Sequence, residues 1–219
     1  MPMNLTPKQA QQFQELRGKW YEVIKPLDGY SPSNFLEPIP YFLPEHLENC
    51  RVLPRREMVI QDIPKGSVIA EVGTQQGNFA KKIYDNCAPK ELHLLDIDFA
   101  PFHAKGHFVP MPDNVLLHEG DSSTKLSSFD NEYFDVIYID GDHSYAGARR
   151  DAEVAVRKLK RDGMLWFNDF TIWSPAEMED YGVPYVISEL CHSGEWEMTI
   201  LTLDPLFYND VVLRRRNDK

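Results

Sequence analysis

Acidic and amide side chains follow several short apolar runs of this 219-residue sequence, at the points where the runs stop. If the runs are parallel strands, their carboxyl ends meet at one edge of a sheet, which is where open α/β sheets bind ligands. A single strand-end carboxylate is commonly no more than solvated, but here the feature repeats from run to run. A binding site is therefore predicted at this edge, with the residues Glu71, Asp96, Asp121, Asp140, Asn168 and Asp169.

The stretch 67–79 contains the most informative turn of this edge. A short apolar run ends in Glu71 and Gly73, three polar residues follow, and Gly77 opens a helix-like segment. This order predicts a buried strand, a tight turn and a helix. The two glycines would let the backbone come close to a ligand. Gln75 stands where a nicotinamide-dinucleotide fingerprint needs its middle glycine, which argues against a pyrophosphate ligand.

Two acidic positions after the turn suit a nucleoside. Asp96 follows Glu71 by 25 residues and ends the next apolar run, from where a carboxylate can hold the two hydroxyls of a ribose. Asp121 and Ser122 are placed to bind an adenine, and the alternative for them is a simple Asx turn. The predicted residues of this cofactor site are Glu71, Gly73, Thr74, Gln75, Gln76, Gly77, Asp96, Asp121, Ser122 and Asp140.

A second set of polar residues offers acid–base or metal chemistry. Asp140 and the pair Asn168-Asp169 end two apolar runs, and their oxygens are of the kind that Mg²⁺ or another hard divalent ion prefers. A metal there would lower the pKa of a substrate hydroxyl. His143 has a pKa suited to removing the proton of that hydroxyl at neutral pH. The alternative for His143 is a cap of the helix that follows.

Both sets of residues resemble those of one enzyme class. The pattern E-x-G-x-x-x-G at Glu71 to Gly77 resembles the first motif of class I S-adenosylmethionine (SAM) methyltransferases. The run I-D-G-D-H-S-Y at 139–145, with F-N-D-F at 167–170, resembles the methyltransferase-24-type families. These families include the macrocin O-methyltransferase group and are distantly similar to catechol O-methyltransferase. The resemblance spans residues 55–170.

The resemblance implies specific roles. SAM would be the cofactor, His143 the general base, and Asp140 and Asp169 metal ligands with Asn168 as a third. Metal-dependent members often carry two acidic residues, or Asp then Asn, where this chain has Asn168 then Asp169. Asp140 and Asp169 would otherwise serve the amino group of SAM or orient His143. The use of a divalent metal therefore stays open at this point.

The elements needed to position these residues follow from the pattern of the chain. Apolar runs alternate with helical patterns, which predicts a parallel, doubly wound sheet, and the last two runs are too close for a helical crossover. The predicted fold is a Rossmann-like α/β sheet of seven strands, mostly parallel with a C-terminal antiparallel hairpin, and helices on both faces. The first predicted strand ends just before Gly73. The other six lie at 92–95, 115–119, 134–139, 164–167, 196–203 and 211–214.

The N-terminal part, residues 1–54, has a different character from the predicted methyltransferase domain, residues 55–219. Thr6, Pro7 and Gln9 predict a capped helix that runs to Pro26 and packs on the domain. The segment 26–54 is rich in proline and aromatic residues, which predicts an irregular packed connector or a lid. Further along, the loop 171–182 is a second candidate lid. Phe170, Trp173 and Tyr181 are candidates for lining a pocket for the methyl acceptor.

Composition narrows the class of partner. The net charge of −11 argues against binding of nucleic acid, which needs clustered Lys and Arg. No apolar run approaches the length of a membrane span, and the N-terminus does not resemble a secretory signal. Three cysteines without metal-ligand spacing fit a reducing compartment. We therefore expect a cytoplasmic protein acting on a small molecule, and the sequence leaves open a homodimer.

The leading hypothesis is a SAM-dependent methyltransferase that methylates a small molecule, at a hydroxyl oxygen. Two alternatives come from other classes: a non-catalytic SAM-binding protein, and an oxidoreductase that uses a nicotinamide cofactor. A further alternative is a hydroxylase-like relative with the same D-G-D-H region. Fold alone does not decide among them.

Overall fold

A computed structural model describes residues 5–26 and 37–216, which fall into two compact units, 1–39 and 40–219. The first unit contains helix α1, Pro7–Ile24. Thr6 and Gln9 form the predicted capping box at its start. Tyr30, Pro32 and Phe35 of the predicted Pro/aromatic segment lie outside the described residues.

The second unit is built on an eight-stranded sheet with strand order β1-β9-β10-β6-β5-β2-β3-β4. Strands β6, β5, β2, β3 and β4 are parallel, whereas β10 runs antiparallel to both β6 and β9. The strands are β1 Arg51–Leu53, β2 Val68–Val72, β3 Glu91–Asp96, β4 Val115–Glu119, β5 Phe134–Ile139, β6 Leu159–Phe167, β9 Trp196–Thr202 and β10 Val211–Arg215. The doubly wound sheet with a terminal hairpin is thus confirmed.

The strand count differs from the predicted seven. β1 was not predicted because it has only three residues and lies next to Pro54 in a proline-rich segment. It joins the sheet beside β9, so this part of the predicted N-terminal region, residues 1–54, belongs to the second unit. A two-stranded sheet of β7, Trp173–Ser174, and β8, Glu179–Asp180, lies within the loop 171–182.

Helices cover both faces of the large sheet. They are α2 Pro44–Leu47, a 3₁₀ helix Arg56–Asp62, α3 Asn78–Cys87, α4 Ala100–Lys105, α5 Ser122–Ser127, α6 Tyr145–Lys158 and α7 Val183–His192. One hydrophobic core joins α6 and α7 to the sheet through Ala148, Ala155 and Ile187. The other joins the 3₁₀ helix and α3 through Val59, Phe79 and Ile83. Because β2 is buried along its whole length, the turn that follows it is held firmly in place.

Candidate active site

A cavity of about 520 Å³ lies at the carboxyl ends of β2, β3 and β5 and beside the start of α5. We call it the donor cavity. Six of the predicted cofactor residues line it: Gly73, Gln75, Asp96, Asp121, Ser122 and Asp140. The other lining residues were not among the predicted cofactor residues; they are Val72, Leu95, Ile97, Gly120, Gly141, Asp142, His143, Arg150 and Glu177. His143 was predicted for catalysis instead.

Four predicted cofactor residues, Glu71, Thr74, Gln76 and Gly77, are not among the lining residues of the donor cavity. Glu71 and Thr74 are buried beneath the turn. Burial raises the pKa of the Glu71 carboxyl well above its usual range, and the nearby Asp140 raises it further. One Glu71 oxygen, Oε2, has no hydrogen-bond partner among the described residues.

The two glycines of the turn are required by packing as well as by backbone conformation. Gly73 has φ 82°, and a Cβ atom on it would lie 1.9 Å from the backbone oxygen of Asp140. Gly77 has φ 71°, and its Cβ would lie 2.7 Å from the ring of Phe102. Close approach to the neighbouring strand end and to α4 therefore explains glycine here, whether or not a ligand is bound.

The acidic residues of the donor cavity also have local structural roles. Asp96 accepts a hydrogen bond from the backbone N–H of Gln75 at 2.6 Å, which ties β3 to the turn. Asp121 caps α5, and its bonds to Thr124 and Ser123 lower its pKa to about 2. The Ser122 hydroxyl donates to Asp151 at 2.6 Å. The expected capping turn is thus present, and the ribose and adenine roles stay predictions.

A second cavity, of about 410 Å³, lies on the other side of Asp140, which lines both cavities. We call it the acceptor cavity. Its lining residues are Arg55, Arg56, Glu57, Asp140, Asn168, Asp169, Asp204, Leu206 and Tyr208. Phe170, Trp173 and Tyr181 do not line it. Phe170 packs against Phe42, and the ring of Tyr181 stacks on His143 at 4.7 Å.

Asp140 is held by a chain of hydrogen bonds that includes a half-buried arginine. Its Oδ1 accepts from the Asn168 amide at 2.6 Å, and its Oδ2 accepts from the Tyr138 hydroxyl at 3.2 Å. Arg56 Nη1 donates to both partners, to Tyr138 Oη at 3.2 Å and to Asn168 Oδ1 at 3.1 Å. The sequence carried no sign of Arg56, because its 3₁₀ helix precedes the glycine turn and follows none of the spacing rules of a site.

His143 lies between the two aspartates that were predicted as metal ligands. Its Nε2 is 3.5 Å from Asp140 Oδ1 and 3.5 Å from Asp169 Oδ2. Burial lowers the pKa of His143, but the two carboxylates more than offset this and raise it above its usual value. Burial also raises the pKa of Asp169 to about 6, although His143 opposes the shift. Asp169 has φ 57°, a backbone conformation that is uncommon for residues other than glycine and recurs at functional sites.

Comparison with known proteins connects this geometry to a family. A family described as "methyltransferase domain" matches residues 70–170, the segment from β2 through the end of β6. This segment, a little under half of the chain, is thus similar to a methyltransferase domain. A comparison with curated proteins gives no match, and the macrocin O-methyltransferase subtype stays a prediction.

Solved structures of methyltransferases share the fold of this chain. The B. subtilis tRNA methyltransferase TrmK has a TM-score of 0.55 at 16% identity, covering 76% of this chain and 67% of that one. A SAM-dependent methyltransferase from Aquifex aeolicus has a TM-score of 0.55 at 14% identity, over 78% and 93%. The methyltransferase CalH in complex with SAH has 0.52 at 16% identity, over 74% and 54%.

The predicted metal ligands, Asp140, Asn168 and Asp169, do not fit a divalent ion as they are arranged. The Asn168 oxygen faces a guanidinium, its amide nitrogen faces Asp140, and His143 lies between the two aspartates. Within residues 5–26 and 37–216, no three His, Cys, Asp or Glu side chains are grouped so as to hold a metal.

No helix in the described residues combines the length and apolar character needed to cross a membrane.

Proposed function

We propose that this protein transfers the methyl group of SAM to a hydroxyl oxygen of a small molecule. The observation that carries the proposal is that the donor and acceptor cavities meet at Asp140. A methyl donor in one cavity and an acceptor in the other would both lie next to this carboxylate, with their reacting atoms close together. Positioning of this kind supplies much of the catalysis of a transfer reaction.

The charges of the donor cavity favour SAM, which carries a sulfonium and an ammonium group. Asp96, Asp121, Asp140, Asp142 and Glu177 line the cavity, against one basic residue, Arg150. We propose that Asp96 binds the ribose, Asp121 and Ser122 the adenine, and Asp140 the amino group. The turn from Glu71 to Gly77 would hold the residues of this site in position.

The proton of the acceptor hydroxyl would pass to Asp169 and His143. Nε2 of His143 is buried, so we propose that Asp169, which lines the acceptor cavity, takes the proton and shares it with His143 across the 3.5 Å between them. The freed oxygen then forms a bond to the methyl carbon while the sulfur–methyl bond breaks. The sulfur keeps that electron pair, and the products are the methyl ether and the demethylated cofactor.

Charge supports a small molecule rather than a nucleic acid as the acceptor. The acceptor cavity is lined by Asp140, Asp169, Asp204 and Glu57 against two arginines, and the donor cavity is more acidic still. A nucleic-acid backbone would meet net repulsion at this edge, because its binding depends on neutralising phosphates with Lys and Arg.

We also propose that the protein is cytoplasmic and forms a homodimer.

The proposed function is tested first by binding and then by transfer. We expect SAM and its demethylated product to raise the melting temperature, whereas NAD does not. With SAM labelled at the methyl group, a panel of small hydroxyl compounds should include an acceptor. Labelling should fall at least tenfold in Asp169→Asn, because a positioned general base contributes about 10²-fold or more.

The rival functions give different results in the same assays. SAM binding with no transfer to any small molecule would indicate a non-catalytic SAM-binding protein. Stabilisation by NAD alone would indicate an oxidoreductase and overturn the proposal. Transfer to RNA but not to the small molecules would overturn the acceptor class only.

A further inference from the structure

The acceptor cavity contains its own fixed cation. We propose that the Arg56 guanidinium is the permanent counter-ion of the polar cluster around Asp140, and that it excludes a divalent metal from this cluster. The proposal rests on contacts among described residues and does not require methyl transfer. Its catalytic consequence, given below, does rest on the proposed function.

The oxygens that a metal would need are already engaged. Asn168 has one side-chain oxygen, and it accepts from Arg56 at 3.1 Å. Turning the amide to offer this oxygen to a metal beside Asp140 would break that bond and the 2.6 Å bond from Asn168 to Asp140. A metal would therefore have to break two hydrogen bonds before it gained Asn168 as a ligand.

The position of Arg56 is fixed from several sides. Its guanidinium carbon lies 4.7 Å from the centre of the Phe79 ring, a cation–π contact. Its charge is balanced by Asp140 and by Asp210, a buried carboxylate that accepts from Trp166 Nε1 at 2.7 Å. Burial lowers the pKa of Arg56, but Tyr138, Asp210 and Asp140 more than offset this and raise it. The side chain therefore stays charged at every working pH.

A divalent ion would bring two further positive charges to within a few ångströms of this guanidinium. The like-charge repulsion in a half-buried site offsets part of what the ion would gain from Asp140 and Asp169. His143, which lies between these two aspartates, would also have to move. Both side chains, Arg56 and His143, thus act against metal binding.

Arg56 has donors left for an acceptor. Among the described residues, its hydrogen bonds use Nη1 only, while the side chain lines the acceptor cavity. A planar guanidinium with spare N–H groups binds oxygen anions well. If the proposed methyl transfer is right, Arg56 stabilises the acceptor oxygen as it loses its proton.

The experiment measures metal binding by the full chain, without an acceptor. Wild-type protein treated with a chelator is titrated with MgCl₂ or MnCl₂ to millimolar levels, with SAM present, and its melting temperature is followed. We expect no saturable shift in the wild type. We expect Arg56→Gln to melt at a lower temperature and to gain a saturable metal-dependent rise of a few degrees, because the carboxylates lose their counter-ion.

Arg55→Gln is the matched control. Arg55 is the neighbouring arginine and lines the same cavity but has no ion pair among the described residues, so this variant should respond to metal as the wild type does. A wild-type shift that disappears in Asp140→Asn would overturn the proposal, and so would a folded Arg56→Gln that binds no metal. If Arg56→Gln does not fold, the wild-type titration decides. None of these outcomes depends on methyl transfer, so they are distinct from a failure of the proposed function.

Discussion

Asp140, the carboxylate at the end of β5, takes part in several features of the site at once. It faces both cavities, accepts from Asn168 and Tyr138, and lies 3.5 Å from His143. Its backbone oxygen also fills the space that a side chain on Gly73 would need. The glycine turn and the polar cluster are therefore one structural unit, joined where β2 and β5 end side by side.

A substitution at Gly73 tests this coupling. Gly73→Ala places a Cβ atom 1.9 Å from the Asp140 oxygen, so either the turn or Asp140 must move. We expect a loss of stability larger than the roughly 1–2 kcal/mol of a left-handed non-glycine residue, and a weaker thermal response to SAM. Thermal denaturation with and without SAM measures both effects.

Gly194→Ala is the control for backbone strain alone. Gly194 has the same φ of 82°, but no atom lies within 4 Å of its would-be Cβ. This variant should lose only the strain energy and keep its response to SAM. Equal losses in the two variants would contradict the coupling between the turn and Asp140.

At the scale of elements, two loops that hydrogen bonds join lie beside the site, one at each cavity. The loop 171–182 lies over His143, with Tyr181 stacked on its ring and the Gly182 N–H bonded to its backbone oxygen at 2.8 Å. The β9–β10 loop contributes Asp204, Leu206 and Tyr208 to the acceptor cavity. The Tyr208 hydroxyl joins the loops through Ser174 Oγ at 2.9 Å and the Ala176 N–H at 3.3 Å.

Removing this hydroxyl should loosen the link between the two loops. Tyr208→Phe deletes both links, and each such hydrogen bond contributes about 1 kcal/mol. We expect faster amide hydrogen exchange in residues 171–182 and a higher KM for the acceptor, with a smaller change in kcat. Tyr41→Phe, at a side chain that is 93% exposed, is the control and should change neither quantity. Unchanged exchange at 171–182 in Tyr208→Phe would show that the link does not hold the loop.

At the scale of the whole molecule, a partly buried histidine pair links two neighbouring strands of the sheet. His93 Nδ1 lies 2.9 Å from His118 Nε2, with His93 on β3 and His118 on β4. Burial lowers the pKa of both, and for His118 the neighbouring His93 lowers it further. Both rings are therefore held neutral in the folded state.

The pH dependence of unfolding follows from this direction. Since the folded pKa values lie below the unfolded value of about 6.5, the unfolded chain takes up protons first as the pH falls. The stabilisation is complete above that pH and is lost as the pH falls through the folded values. Chemical denaturation near neutral pH and near pH 5 should show that His118→Gln loses less stability than the wild type over this interval. A larger loss in the variant would contradict the sign. Comparing the two proteins removes the contribution of groups they share, such as Asp169.

The sequence by itself determined the sheet and the edge at which several predicted site residues meet. Local patterns sufficed, because strand ends, glycine turns and helix periodicity depend on neighbouring residues: Gly73, Asp96 and Asp140 were predicted and line one cavity. Only the tertiary structure brought Arg56 to Asn168, residues separated by 112 positions, and placed His143 between two aspartates. It also added β1 beside β9. Contacts between residues so far apart in the sequence produce no motif of fixed spacing. The order of the strands in the sheet decides which distant side chains come into contact. For this reason the sequence left the use of a metal open: by our proposal it depends on Arg56, which lies in none of the sequence motifs.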